Sequence, residues 1–197
     1  MGENNPPPHV MTVPKYARIE YERRFLVDPT FDWQLNTKPY CKLLEDRYLD
    51  CGRLRVRRLE DSDTGRVTFK LTKKFESDSM FAQPVVNVWL SQAEYEALKS
   101  LPGRDLSKRR YYDECASLVL CVDVFQGELD GLILCETESE SLDVLRAARF
   151  PQYARWEVTE DRFFTGGSLC RANQLQIEAA IRRTNAPAGA FVDKVSP

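Results

Sequence analysis

In five stretches of this chain polar and charged side chains recur at every second position, so a fold must accommodate one charged face on strand after strand. Residues i and i+2 share a face of a β-strand. In Ile19 to Phe25, Glu20, Glu22 and Arg24 therefore lie on one face and Tyr21, Arg23 and Phe25 on the other. The same pattern gives Arg55 with Arg57, Lys70 flanked by Thr68 and Thr72, Lys108 with Arg110, and Glu136 with Glu138. Two carboxylates two positions apart on a strand lie roughly 6–7 Å apart, close enough to serve one divalent cation directly or through its waters. Alone, such a pair more often marks a solvated strand face. The repetition is what makes it informative.

The strands follow from this alternation and from the turn residues between them. Extended segments are expected at Lys15–Val27, Lys42–Asp50, Arg53–Glu60, Arg66–Lys74, Pro84–Leu90, Leu106–Glu114, Leu118–Phe125 and Gly131–Glu138. Cys51-Gly52 and Asp61–Gly65 supply turns, and Trp156–Thr159 reads as a further short extended piece. Helices are expected at Ala93–Leu101, introduced by the capping box of Ser91 and Glu94, at Ser141–Phe150, and at Leu169–Ile181. Asp28–Lys38 reads as a loop with a helical turn. Residues 1–14 form a flexible lead-in containing His9, residues 15–184 one domain, and residues 185–197 a loose tail.

Eight strands with short connections predict an antiparallel sheet that closes or nearly closes. Two arrangements suit the charged face: a sandwich exposing it to solvent, or a barrel with a charged lumen and helices outside. In the second, arginines and glutamates facing each other across a wet interior offset one another's desolvation.

Composition narrows the functional classes. With 197 residues, 43% hydrophobic and 29% charged, the chain has the makings of one folded domain. A net charge of −2 argues against binding nucleic acid through bulk charge. Yet Arg53 to Lys74 holds eight basic residues against three acidic ones. No apolar run is long enough to span a membrane. The six cysteines show no C-x-x-C spacing, and His9 is the single histidine, so zinc is not indicated. A cytoplasmic location is expected. Acidic side chains favour Mg²⁺ or Mn²⁺. Arginines grip phosphate oxygens in pairs, while lysine acts as a compact charge. Together they suit metal-assisted attack on a polyphosphate.

These residues resemble a known pattern. Glu20-x-Glu22-x-Arg24 is similar to the E-x-E-x-K signature of the CYTH superfamily, the triphosphate tunnel metalloenzymes. The likeness runs from about Ile19 to Leu169 through Leu54–Arg57, Lys70, Lys108-x-Arg110-Tyr111, Asp123–Phe125, Glu136–Glu138 and Trp156–Asp161. It implies an α+β, mainly β fold: an eight-stranded antiparallel closed β-barrel, or tunnel, with peripheral helices. It further implies that Glu20, Glu22, Glu136 and Glu138 hold Mg²⁺ or Mn²⁺, with Asp123 as a possible fifth acid. Arg24, Arg55, Arg57, Lys70, Lys108 and Arg110 would bind the phosphates. Glu20, Glu22, Arg24 and Glu138 would form the catalytic set. Asp123 and Glu157 are equally open to a structural role, capping a turn or pairing with a neighbouring arginine.

The family's members include inorganic, thiamine and RNA triphosphatases and class IV adenylate cyclases. The chain departs from the pattern at Arg24, where the signature has lysine, and at Asn87, where many relatives carry glutamate. Arg53 stands where thiamine-specific members tend to place an aromatic, which disfavours that substrate. The resemblance thus implies a hydrolase of a small triphosphate or polyphosphate, inorganic triphosphate first, acting on neither nucleic acid nor membrane. The alternatives are a class IV adenylate cyclase and a non-catalytic polyphosphate-binding module. The oligomeric state is not legible.

Overall fold

A computed structural model describes residues 13–115 and 118–184. The expected flexible lead-in, His9 and the C-terminal tail lie outside these residues, apart from Val13 and Pro14. Nine strands are present: β1 (Arg18–Val27), β2 (Lys42–Leu49), β3 (Leu54–Asp61), β4 (Val67–Lys74), β5 (Ala82–Leu90), β6 (Gly103–Cys115), β7 (Leu118–Phe125), β8 (Ile133–Ser139) and β9 (Ala154–Glu157). They form one antiparallel sheet in the order β5-β4-β3-β2-β6-β7-β8-β1-β9. A further β5–β1 pairing closes the first eight into a barrel. The closed barrel is the expected fold.

β1 makes the closure possible by serving three partners. Its first residues, Arg18–Tyr21, pair with β5, while Tyr21–Leu26 pair with β8 on the other side. Where β5 leaves, β9 takes over against Phe25–Val27, with a register shift between Leu26 and Val27. The short extended piece foreseen near Trp156 is therefore a true ninth strand, beginning two residues earlier.

Alternation along each strand sends one side chain into the lumen and the next to the outer wall. The outer wall is apolar where helices or loops cover it. Phe25, Val27, Trp33, Leu120, Val122, Cys135, Tyr153 and Ala154 form one cluster there. Leu49, Val56 and Tyr95 form another beneath α1 (Gln92–Lys99), whose capping box of Ser91 and Glu94 is present as expected. Glu157 also faces this outer wall. Arg23 Nε and Nη2 donate to its two oxygens at 2.9 and 2.7 Å, so its role is structural.

The lumen is not charged throughout. At one end Leu26, Leu106, Phe125 and Leu134 meet Val158, Phe164, Leu169, Ile177 and Ile181 from the C-terminal segment, and together they stopper the barrel. Here the sequence expectation needs correction. The single helix foreseen over Leu169–Ile181 is two: α3 (Gly166–Leu169) and α4 (Gln174–Arg183). The break falls where Asn173 caps α4, its side chain accepting from the Gln176 N–H while Gln176 reciprocates. Gly166 is required for the approach, since a Cβ there would lie 1.9 Å from the Tyr48 hydroxyl. The helix expected over Ser141–Phe150 is the shorter α2 (Leu142–Ala147), with Ala148 already extended.

Candidate active site

The open part of the lumen is a cavity of about 540 Å³. Its walls come from the strand faces that alternation selects. Glu20, Glu22, Arg24, Arg55, Arg57, Lys70, Lys108, Arg110, Glu136 and Glu138 all line it, so the barrel brings together every candidate named from the sequence except Asp123. Asp123 stands opposite Arg110 on the same lumen-facing side of its strand, but is fully buried beneath the cations that line the cavity. It accepts from Arg110 Nε and Nη2, both at 2.6 Å, and from Lys108 Nζ. A carboxylate so surrounded by cations is their counter-ion; the structural alternative describes it.

The pairs follow strand register. Arg24 stands opposite Glu136 on β8, and its Nε donates to Glu136 Oε1 at 2.9 Å, while Nη2 donates to Glu22 Oε1. Glu136 Oε2 accepts from Arg110 Nη2 at 2.9 Å, with Lys108 Nζ at 3.7 Å. Lys74 Nζ lies 3.6 Å from the second oxygen of Glu22. Burial pushes both glutamates up, but Lys108, Arg24 and Arg110 at Glu136, and Arg24 and Lys74 at Glu22, outweigh it and hold both below the usual carboxylate range. Burial likewise pulls the Arg24 guanidinium down, and its two carboxylates more than reverse that.

Sequence reasoning passed over Asp46. It stands opposite Arg57 in the β2–β3 register, wholly buried, and takes Arg57 Nε and Nη2 at 2.5 and 2.6 Å. Its position on one face with Tyr48 was the available signal. Burial raises its carboxyl, but Arg57 and Arg55 prevail and hold it well below its ordinary value. Tyr48 beside it is pushed up to about 12, chiefly by burial. Lys74, which continues the face of Lys70 and Thr72, was also missed, as were Arg162 and Arg171 from the C-terminal stopper. No periodicity in the sequence could have placed the last two.

Once these pairs are made, two lumen cations stand apart. Lys70 has no carboxylate within ion-pair distance among the described residues, and the residue opposite it is Arg57. Burial, then Arg57 and Arg55, push its ammonium down to about 8. Arg55 donates from Nη2 to Thr72 Oγ1 at 3.2 Å. Its Nε is buried with no hydrogen-bond partner, and the nearest carboxylate oxygen, on Asp46, is 3.8 Å away. A buried donor left unsatisfied is expensive, and like charges directly opposite on neighbouring strands repel. Both faults are relieved by an anion. Phosphate oxygens meet the requirement.

On the acidic side, Glu138 stands opposite Glu22 on neighbouring strands, and Glu20 lies two residues along the same face. Glu20 accepts from Arg18 Nη2 at 3.0 Å and from Asn87 Nδ2 at 3.2 Å. Glu138 is exposed to the cavity and makes no hydrogen bond or ion pair among the described residues. Among those residues no three acidic or sulfur ligands already converge as a metal cage. Magnesium, however, keeps several waters and needs only one or two carboxylates plus substrate phosphates. The wall of Glu20 and Glu138 fits an ion that arrives with a phosphate chain, and does not make a fully protein-built cage.

No family model matches the chain, and no curated protein matches it. Solved structures do. Two crystal structures of NE1496, one of them described as an inorganic triphosphatase, superpose with TM-scores of 0.51 and 0.50. Each is 24% identical over 78% of this chain, covering 99% and 95% of its own length. The chain shares their fold. The match takes in nearly the whole of NE1496, so the shared fold is the complete barrel and not a fragment of it. No helix among the described residues is long and apolar enough to cross a membrane.

Proposed function

We propose that this protein is a divalent-metal-dependent hydrolase of a small triphosphate, inorganic triphosphate first, bound within the tunnel. The observation that carries the reading is a pair of cations in the wall of a cavity of about 540 Å³: Arg55, whose buried Nε has no hydrogen-bond partner, and Lys70, which has no carboxylate within ion-pair distance among the described residues. Glu22, Glu136, Asp46 and Asp123 are matched by Arg24, Lys74, Arg57, Lys108 and Arg110, and Arg55 and Lys70 remain for a ligand. The fold shared with a protein described as an inorganic triphosphatase supports the same reading.

The residues have separable tasks. Arg55 and Lys70 grip the phosphate chain, and Lys74, Arg53, Arg162 and Arg171 extend the positive wall around it. Arg57, Lys108 and Arg110, fixed by Asp46, Asp123 and Glu136, present preset charge to the transferring phosphoryl group. Being held in advance, they need no reorganisation as charge shifts toward the leaving oxygen. Glu138, without a cation partner, orients the attacking water and accepts its proton. Water adds to the terminal phosphorus as the anhydride P–O bond breaks, giving orthophosphate and pyrophosphate. Glu20 and Glu138 would hold Mg²⁺ or Mn²⁺, which when bound would supply neutralisation of phosphate charge.

The test is incubation with tripolyphosphate and with ATP, each with Mg²⁺ or Mn²⁺. Release of orthophosphate from tripolyphosphate, abolished in Glu138→Gln with unchanged circular dichroism, is the expected result. Cyclic AMP with pyrophosphate from ATP, or tight binding with no product, overturns it.

A further inference from the structure

Arg24 is the lumen cation of the Glu-x-Glu-x-Arg segment, and it is tied to an acid of that same segment. Its guanidinium bridges two carboxylates from neighbouring strands, Glu22 on its own strand and Glu136 on β8, and its side chain is only 7% exposed. The remaining oxygens of that pair are also engaged: Lys74 lies beside Glu22, and Arg110 and Lys108 beside Glu136. Every side of this acid pair therefore meets positive charge. A guanidinium does not lose its proton inside a protein, and its planar fork matches two carboxylates where an ammonium on a flexible stem makes a point contact.

We propose that Arg24 is the tunnel's resident cation: it fills the Glu22–Glu136 pair, so that pair takes no divalent ion, and exchangeable metal is confined to Glu20 and Glu138. A lysine in the same place has three rotatable donors and a mobile stem, and can move aside for a metal. Arg24 cannot do so without giving up its hydrogen bonds to two carboxylates at once. The inference rests on the proposed function only in calling the Glu20–Glu138 ion functional. Filling of the acid pair by Arg24 stands without any turnover.

The probe is Mn²⁺ alone, with free ion counted by electron paramagnetic resonance during titration. Wild-type protein is expected to bind no more than one Mn²⁺ per chain, with affinity lost in Glu138→Gln. Glu136→Gln is expected to leave that affinity within about twofold, whereas loss of a true ligand costs at least about tenfold. Arg24→Gln is expected to gain one Mn²⁺, and the double variant Arg24→Gln, Glu136→Gln to lose it again. Two Mn²⁺ ions on the wild type, or a tenfold loss in Glu136→Gln, overturns the proposal. So does a folded Arg24→Gln that gains none. Should Arg24→Gln not fold, the Glu136→Gln titration decides alone. Failure of tripolyphosphate hydrolysis with these titrations as expected would refute the proposed function and leave the assignment of Arg24 intact.

Discussion

Lys70 gives the sharpest prediction, because its environment is wrong for a charge until an anion arrives. Burial and the guanidinium groups of Arg57 and Arg55 bring its ammonium down to about 8, from an ordinary value near 10.5. A bound phosphate chain reverses the repulsion and returns it toward the ordinary range. The bound state then holds more protons, so binding takes them up: about half a proton per chain at pH 8 and almost none at pH 6. Affinity is at its full value below pH 8. Above it, affinity falls by up to about tenfold per pH unit until the bound-state value is reached. The assay is calorimetry of tripolyphosphate binding without metal, in two buffers of different ionisation heat, for wild type and Lys70→Met. The ligand's own titration is common to both proteins, so the difference belongs to Lys70. Equal proton counts at pH 8, or equal affinity at pH 7, would refute the reasoning.

The same shift has a stability consequence of opposite appearance. Without ligand the folded-state value lies below the unfolded one, so charged Lys70 opposes folding below pH 8. That opposition fades as the pH rises from about 8 toward 10.5. Lys70→Met should therefore melt above wild type at pH 7 and lose the advantage near pH 10, as expected where a site keeps strain for function.

Two further substitutions test the supports of the tunnel. Asp46→Asn leaves Arg57 buried without its counter-charge, at about 3–5 kcal/mol. Thermal denaturation should show a midpoint lowered by roughly 10 °C; a shift under about 2 °C would contradict the assigned pairing. Gly166→Ala puts a methyl 1.9 Å from the Tyr48 hydroxyl oxygen, and should cost roughly 1–3 kcal/mol in denaturant unfolding, with partial recovery on adding Tyr48→Phe.

Much of this molecule was legible from period-two alternation, because a barrel turns that pattern directly into inside and outside. Glu20, Glu22 and Arg24, or Lys108 and Arg110, could be sorted by parity alone, and register then brought Arg24 opposite Glu136. What parity cannot give is which charges cancel. Asp46 looked like one more acid on a strand; its weight comes from facing Arg57 where both are buried. Nor can it place Arg162 or Arg171, which reach the cavity from a segment that follows the last strand and carries no alternation of its own. The split between α3 and α4 was hidden for a related reason. The segment reads as one helix in the sequence, and the break lies where Asn173 caps the start of α4.

Arg24 and Asn87, the two places where the sequence departs from the signature it resembles, both bear on how the tunnel balances anions against divalent ions. Asn87 joins a chain of hydrogen bonds: Arg55 Nη2 donates to Thr72 Oγ1, Thr72 Oγ1 to Asn87 Oδ1 at 2.8 Å, and Asn87 Nδ2 to Glu20 Oε1. A carboxylate at this position could accept from Thr72 but could not donate to Glu20, and its charge would repel that acid while cancelling Arg55 or Lys70. The amide instead steadies Glu20 and adds no negative charge beside Arg55 or Lys70. Arg24, for its part, removes two glutamates from the pool of available acids by holding them. Asn87 leaves the tunnel more positive toward an incoming anion, whereas Arg24, equal in charge to lysine, acts by its fork geometry, and both leave the tunnel less able to gather divalent ions ahead of that anion. Asn87→Glu should accordingly weaken metal-free binding of tripolyphosphate and strengthen binding of Mn²⁺ alone; if both change in the same direction, charge balance is not what residue 87 controls.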